Sequence, residues 1–136
     1  MNKLNLIFVL ICSVITTVST TQKMTPEQVV QENLDFYNSR NIEGFMSSFS
    51  KSIKMYNLEE PKPTIVGFSE VKEVYNSLFQ KSPQLHSTIL KRIVIGNKVI
   101  DHESIAGRNG SNEILELVLI YEVTNEQITK ITVIRK

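Results

Sequence analysis

A single cysteine in 136 residues is the first restriction on this chain. It is Cys12, inside an apolar N-terminal run, so everything after that run lacks a thiol. Disulfides, a thiolate nucleophile and cysteine-based metal sites are excluded there. That absence suits an oxidising compartment without requiring one. Charge of one sign is also lacking. Lys and Arg number 15 against 14 Asp and Glu, and without Lys3 the balance is 14 to 14. No basic run overrides it, so neither nucleic acid nor an anionic membrane surface is an expected partner. Repeats, Gly-X-Y periodicity and low-complexity segments are missing too. A hydrophobic fraction of 41% with 21% charged residues fits a globular chain, not a disordered one. The length allows one domain with one core.

Long hydrophobic runs are confined to the start. "MNKLNLIFVLICSVITTVSTTQ" has Lys3, then no charge until Lys23, and Leu4 to Val18 is almost wholly apolar. A basic start, a short apolar segment and a Ser/Thr tail predict a signal peptide over residues 1–21, cut between Ser19 and Gln22. The apolar run falls short of the ~20 residues of a spanning helix; a retained anchor is the alternative. Ile11 stands where a lipoprotein signal would place a small residue before its Cys, which argues against lipidation. The expectation is an exported domain, periplasmic or secreted, over 22–136, with no membrane contact after cleavage.

What is present follows a clear order. In "TPEQVVQENLDFYNSR" Thr25 can cap a helix, Pro26 suits its first position, and Gln28 completes a capping box. Val30, Leu34 and Tyr37 then recur at helical spacing. Asn41 can cap a short second helix with Ile42, Phe45, Met46 and Phe49 on its apolar face. "SIKMYNL" reads as a strand and "EEPKP" as a loop. After Gly67, Ser69 is the expected cap of a third helix carrying Val71, Val74, Tyr75, Leu78 and Phe79, stopped by Pro83. Leu85–Ile95 and Lys98–Ala106 flank Gly96-Asn97, a two-residue hairpin turn of type II′. Glu113–Val123 and Ile128–Ile134 are the remaining strands. Three helices and about four antiparallel strands predict an α+β fold, a bent sheet with helices on one face.

Three stretches, "YNSRNIEGFMSSFS", "IVGFSEVKEVYNSLF" and "IYEVTNEQITKITVI", in this order and spacing, resemble the SnoaL-like branch of the nuclear transport factor 2-like superfamily. The resemblance runs from Thr25 to Ile134. It implies a curved antiparallel sheet wrapped around the N-terminal helices, a cystatin-like cone, with a pocket at the open end. It also implies positions to check. Ketosteroid isomerases of this superfamily use a Tyr and a protonated Asp to bind an oxyanion and a second Asp to move the proton. By the resemblance those slots hold Asn33, Leu119 and Asn57. An amide is no general base near neutral pH, and Leu donates no hydrogen bond. That chemistry is therefore not expected by that route. Tyr37, one turn from Asn33, and Tyr121, two residues beyond Leu119, reach toward the same cavity as replacement donors.

The hairpin holds the remaining candidates. With Ile95 opposite Lys98, Arg92 faces Asp101 and Leu90 faces Glu103. His86, Thr88, Leu90, Arg92 and Val94 then share a side with Val99, Asp101, Glu103 and Ile105. The resemblance turns that side toward the cavity. Glu103, His86 and Asp101 become the candidate catalytic groups. Asn33, Tyr37, Asn57, Arg92, Leu119 and Tyr121 become the candidate ligand contacts. Arg92–Asp101 has a second reading as an ion pair that only supports the fold, and His86 one as a partly exposed strand residue. Glu103 lacks a cation opposite, so an apolar wall would raise its pKa toward the range of a general acid or base. His102 points outward, away from His86, and no metal is expected. No cofactor is expected either. Arg108, in a Gly-rich loop near the implied mouth, reads as a solvated cation, with an anionic ligand as the alternative.

The opposite sheet side gathers Ile89, Ile93, Ile95, Ile100, Val118 and Ile120. An apolar patch of that kind predicts an interface, here a homodimer. The functional expectation is a cavity for a small apolar molecule. Three uses stay open: proton transfer of the isomerase, cyclase or dehydratase kind, ligand binding without catalysis, or partner binding with the cavity closed.

Overall fold

The computed structural model describes residues 22–135. The expected signal peptide over 1–21 lies outside them. No helix of the described residues is long and apolar enough to cross a membrane.

Three helices precede most of the sheet. Helix α1 (Pro26–Ser39) starts with the capping box read from Thr25 and Gln28, and both of its reciprocal bonds form. Helix α2 (Ile42–Ser47) is capped by the Asn41 side chain on the Gly44 N–H. It is shorter than its apolar spacing suggested, because Phe49 already belongs to strand β1 (Phe49–Asn57). Strand β2 (Ile65–Val66) is a two-residue edge that the sequence did not announce. Helix α3 (Phe68–Lys81) begins before Ser69, and its N-cap is Gly67 without a side-chain cap. Glu70 takes the Val66 N–H instead. The hairpin strands are β3 (His86–Ile95) and β4 (Lys98–Ala106), followed by β5 (Leu115–Thr124) and β6 (Gln127–Arg135).

The sheet runs β2-β1-β6-β5-β4-β3. All pairings are antiparallel except one: β1 lies parallel to β6, so the sheet is mixed. The reason is topological. The chain leaves the first strand through α3 and returns through two hairpins, which brings β6 beside β1 in the same direction. The helices cover one face of the curved, unclosed sheet. Core residues Val30, Met46, Phe49, Ile53, Val71, Val99 and Ile128 are at most 2% exposed. Tyr37, Phe45, Tyr75 and Phe79 form an aromatic cluster between the helices, in which Tyr37 and Tyr75 meet Phe79 edge-to-face and the tilted rings of Phe45 and Tyr75 have centroids 4.6 Å apart.

The central hairpin follows the expected register near its turn. Gly96 has φ +58°, as the first position of a type II′ turn requires, and Ile95 pairs Lys98. Arg92 faces Asp101 as expected. Beyond Lys91 the register slips by a β-bulge at Leu90, so Ile89, not Leu90, faces Glu103. One extra residue reverses the facing of everything earlier in β3. Ser87 and Ile89 turn to the concave side, and His86 and Thr88 turn away from it.

Candidate functional site

The bulge decides which side chains reach Glu103. It brings Ser87, almost fully buried, against the carboxyl. Ser87 Oγ donates to Glu103 Oε2 at 2.6 Å, and the Tyr121 hydroxyl donates to Oε1 at 3.3 Å. Ser87 is itself held by Asn38 of α1. The Ser87 N–H donates to Asn38 Oδ1 at 2.7 Å, and Asn38 Nδ2 donates to the Ser87 carbonyl at 3.0 Å. The Arg40 guanidinium adds a bond to the Leu85 carbonyl. Helix α1 thus clamps the start of β3, β3 aims Ser87, and Ser87 aims the acid.

Glu103 is 2% exposed and lines a pocket of about 130 Å³ between the helices and the concave sheet face. Burial pushes its carboxyl above the ordinary value, and the nearby Asp101 charge adds to that. The Ser87 and Tyr121 hydrogen bonds and the more distant Arg92 oppose the shift. The Tyr121 hydroxyl is pushed well up by burial first and then by Glu103. The pair is therefore a carboxyl held above its ordinary value beside a phenol that keeps its proton. Such a pair can give a proton to a bound molecule, accept one through the carboxylate, or hydrogen-bond an oxygen.

The other expected residues divide. Asn33, Tyr37, Asn57, Leu119 and Tyr121 all line the pocket. Asn33 Nδ2 is bound to the Phe45 carbonyl, which ties α1 to α2. Asn57 is held between Glu60 and Arg135. It faces inward with Met55, while Tyr56 lies on the other side beneath Lys130.

Three expectations need correction. Asp101 points to the concave side but does not border the pocket. Arg92 closes it off: Nε donates to Oδ1 and Nη2 to Oδ2, both at 2.7 Å, and Gln31 of α1 accepts from Nη1 at 2.8 Å. Both Asp101 oxygens are engaged, and three Arg92 N–H donors are taken by Asp101 and Gln31. The pair is a buried tie beneath α1. His86 is exposed and pairs Ala106 across the strand. The bulge at Leu90 carries it to the convex side, so it joins no polar wall. It now shares that side with His102, contrary to the expected opposition. His102 instead bonds Glu116 at 2.7 Å. Among the described residues no cluster of three His, Cys, Asp or Glu could hold a metal.

The sequence reading missed Ser87, Tyr75 and Arg135 as neighbours of the site. Tyr75 was assigned to the core stripe of α3, where its ring does pack, yet it also borders the pocket. Ser87 was lost to the wrong register. The available signal was the apolar doublet Ile89-Leu90, where strict alternation breaks and a phase slip is permitted.

The sequence profile of the SnoaL-like domain matches residues 30–131. A search of curated proteins gives no match. Among solved structures, a cystatin-fold protein from Novosphingobium aromaticivorans superposes with a TM-score of 0.75 at 18% identity, over 82% of this chain and 99% of that one. A nuclear transport factor 2-like protein from Cytophaga hutchinsonii gives 0.71 at 14%, over 86% and 95%. An LEH-like epoxide hydrolase from M. tuberculosis gives 0.71 at 12%, over 82% of each chain. At such identities the structures speak for the fold alone. The profile match over most of the chain places this protein in the SnoaL-like domain family, and the solved structures share its cystatin-like, nuclear transport factor 2-like fold.

Proposed function

We propose that the domain holds a small, mostly apolar molecule in the pocket and that Glu103 exchanges a proton with it. One observation carries this reading. A buried carboxyl stands at the pocket wall without an ion-pair partner among the described residues, aimed by Ser87 and Tyr121. A structural carboxylate in that setting would be expected to carry a cation, as Asp101 does. The apolar wall, with Leu119, Ile131 and Val133, suits a ligand body of carbon and hydrogen. Proton transfer of the isomerase, cyclase or dehydratase kind needs one such acid or base.

A second reading, ligand binding without catalysis, is favoured by the amides at Asn33 and Asn57 and the Leu at 119. None of these supplies a second proton-transfer group. The two readings separate at Glu103→Gln, which should retain binding and abolish turnover if the acid acts. Both fall if the pocket takes nothing. Leu119→Trp fills the space and should reduce binding of an uncharged hydrophobic dye by about tenfold or more, judged from the area such a dye loses. Unchanged dye fluorescence in that variant would remove the pocket from consideration.

Two further parts of the proposal concern the whole molecule. Export rests on residues 1–21 alone. Self-association rests on the convex face, where Ile93 pairs Ile100 and Ile100 pairs Ile120 across three strands. Ile93 is 43% and Ile95 64% exposed. Ile89 does not belong to this patch, since the bulge turns it inward. A dimer formed there should dissociate on Ile93→Lys, seen as a halved mass in light scattering at micromolar protein. A monomer before substitution would end the idea.

A further inference from the structure

Arg108 is half-buried and borders the same pocket as Glu103. Its place is not that of a loose loop cation. Gly107 before it has φ +71°, and a Cβ there would lie 2.2 Å from the Gln84 carbonyl oxygen. Only glycine allows the two backbones to approach so closely. Asn109 after it donates its N–H at 2.8 Å to Oγ of Ser82, a fully buried residue at the end of α3. The turn Arg108–Gly110 is therefore pinned on both sides of the arginine. Among the described residues no carboxylate forms an ion pair with Arg108. Its neighbours in the pocket are the phenols Tyr37 and Tyr75, both also within electrostatic reach of Glu103. The other pocket-lining cation, Arg135, is exposed and already bonded to Asn57.

We propose that Arg108 is the anion-recognising group of this pocket, and that the ligand is a small apolar carboxylate held by its charged end at Arg108 with its uncharged end at Glu103. This rests on the reading of the pocket as a ligand site. A guanidinium matches a carboxylate with two parallel N–H donors, and pre-positioning lowers the entropy lost on binding. The opposite assignment fails on charge. A carboxylate at the Glu103 end would meet an acid, whereas a neutral group there meets a hydrogen-bonding carboxyl and phenol. The apolar body then spans Leu119, Ile131 and Val133 between the two polar ends.

The test compares phenylbutyrate with phenylbutyramide, its uncharged match, by titration calorimetry on the full chain. The native protein should prefer the carboxylate by about tenfold or more, the worth of a hydrogen bond to a charged group. Arg108→Gln should lose that preference and keep its affinity for the amide. Arg108→Lys, which retains charge without the fork, should keep a reduced preference. Equal affinity of the native protein for both probes overturns the anion site and leaves the pocket reading intact. An undiminished preference in Arg108→Gln does the same. Should that variant not fold, a Lys variant that weakens both probes equally also overturns it. A native protein that binds neither probe overturns both readings.

Discussion

Replacing Arg92 with Met should destabilise the domain by about 3–5 kcal/mol, the usual cost of stranding a buried charge. The Asp101 side chain is 1% exposed and that of Arg92 13%, so water cannot take the place of the guanidinium. Both carboxylate oxygens lose a 2.7 Å donor at once. The Gln31 Oε1 loses its Arg92 donor too, so α1 loosens over the sheet. The loss comes from the orphaned anion, not from the worth of the pair itself. Arg92→Met combined with Asp101→Leu should therefore recover most of it, since a matched apolar pair of similar volume is often neutral. Urea denaturation of the native protein, both single variants and the double variant gives the comparison. A loss below about 1 kcal/mol in Arg92→Met would make the pair an ordinary surface contact. Because neither residue borders the pocket, ligand affinity of the folded variants should stay unchanged, which separates this tie from the site.

Glu103→Gln should remove a pH dependence of stability that the native protein shows. In the folded chain burial favours the protonated carboxyl, while in the unfolded chain it ionises near the ordinary value of 4.5. The contribution of this group is thus fully present below that value. It is lost as pH rises through the higher folded value, because only the unfolded chain ionises freely in that window. The slope for one group is at most about 1.4 kcal/mol per pH unit. Gln imitates the protonated acid: its oxygen can accept from Ser87 and its NH2 can donate to the Tyr121 oxygen. The difference in stability between native and variant should move in the variant's favour as pH rises through this window, with the other ionisable groups cancelling in the subtraction. Carboxyl carbon shifts in a native titration give the folded value directly. An ionisation of Glu103 at or below 4.5 would deny it the role of a neutral-pH acid. In a turnover assay the same variant separates an acting acid from a merely buried one.

Much of the architecture was legible because it is written in local patterns. The capping box at Thr25 and Gln28, the Asn41 cap and the Gly96-Asn97 turn each depend on neighbours a few residues apart, and each appears as read. The parallel pairing of β1 with β6 was not legible, since no local signal joins strands that lie at the two ends of the domain. Gly67 displaced Ser69 as cap of α3 because the chain arrives from β2, with Gly67 bonded back to the Ile53 carbonyl, leaving Ser69 inside the helix.

The candidate site divides in the same way. Glu103 stood out in sequence as a carboxylate on an apolar strand with no cation opposite; the alternation of β4 grouped it with Ile105, and the resemblance turned that side inward, where the structure has it. His86 was misplaced because a single unpaired residue, Leu90, reverses the facing of the strand before it. Bulges of this kind are selected by the curvature of the whole sheet, not by a turn-type motif. Arg92 and Asp101 were paired correctly, but whether they faced a hollow or a helix depended on where α1 lies.

The sequence by itself determined most of the elements and the alternation that puts Glu103 and Ile105 on one side of β4, because short-range periodicity needs no distant partner; that this side faces inward, and that Asn33, Asn57 and Leu119 replace the isomerase groups, came from the resemblance. Only the tertiary structure decided that Ser87 aims that acid, that Arg92 seals Asp101 beneath a helix, and that Arg108 is pinned at the pocket. Each of those depends on two segments far apart in the chain meeting within hydrogen-bond or van der Waals distance, and that meeting is set by how sheet curvature and helix packing share one core.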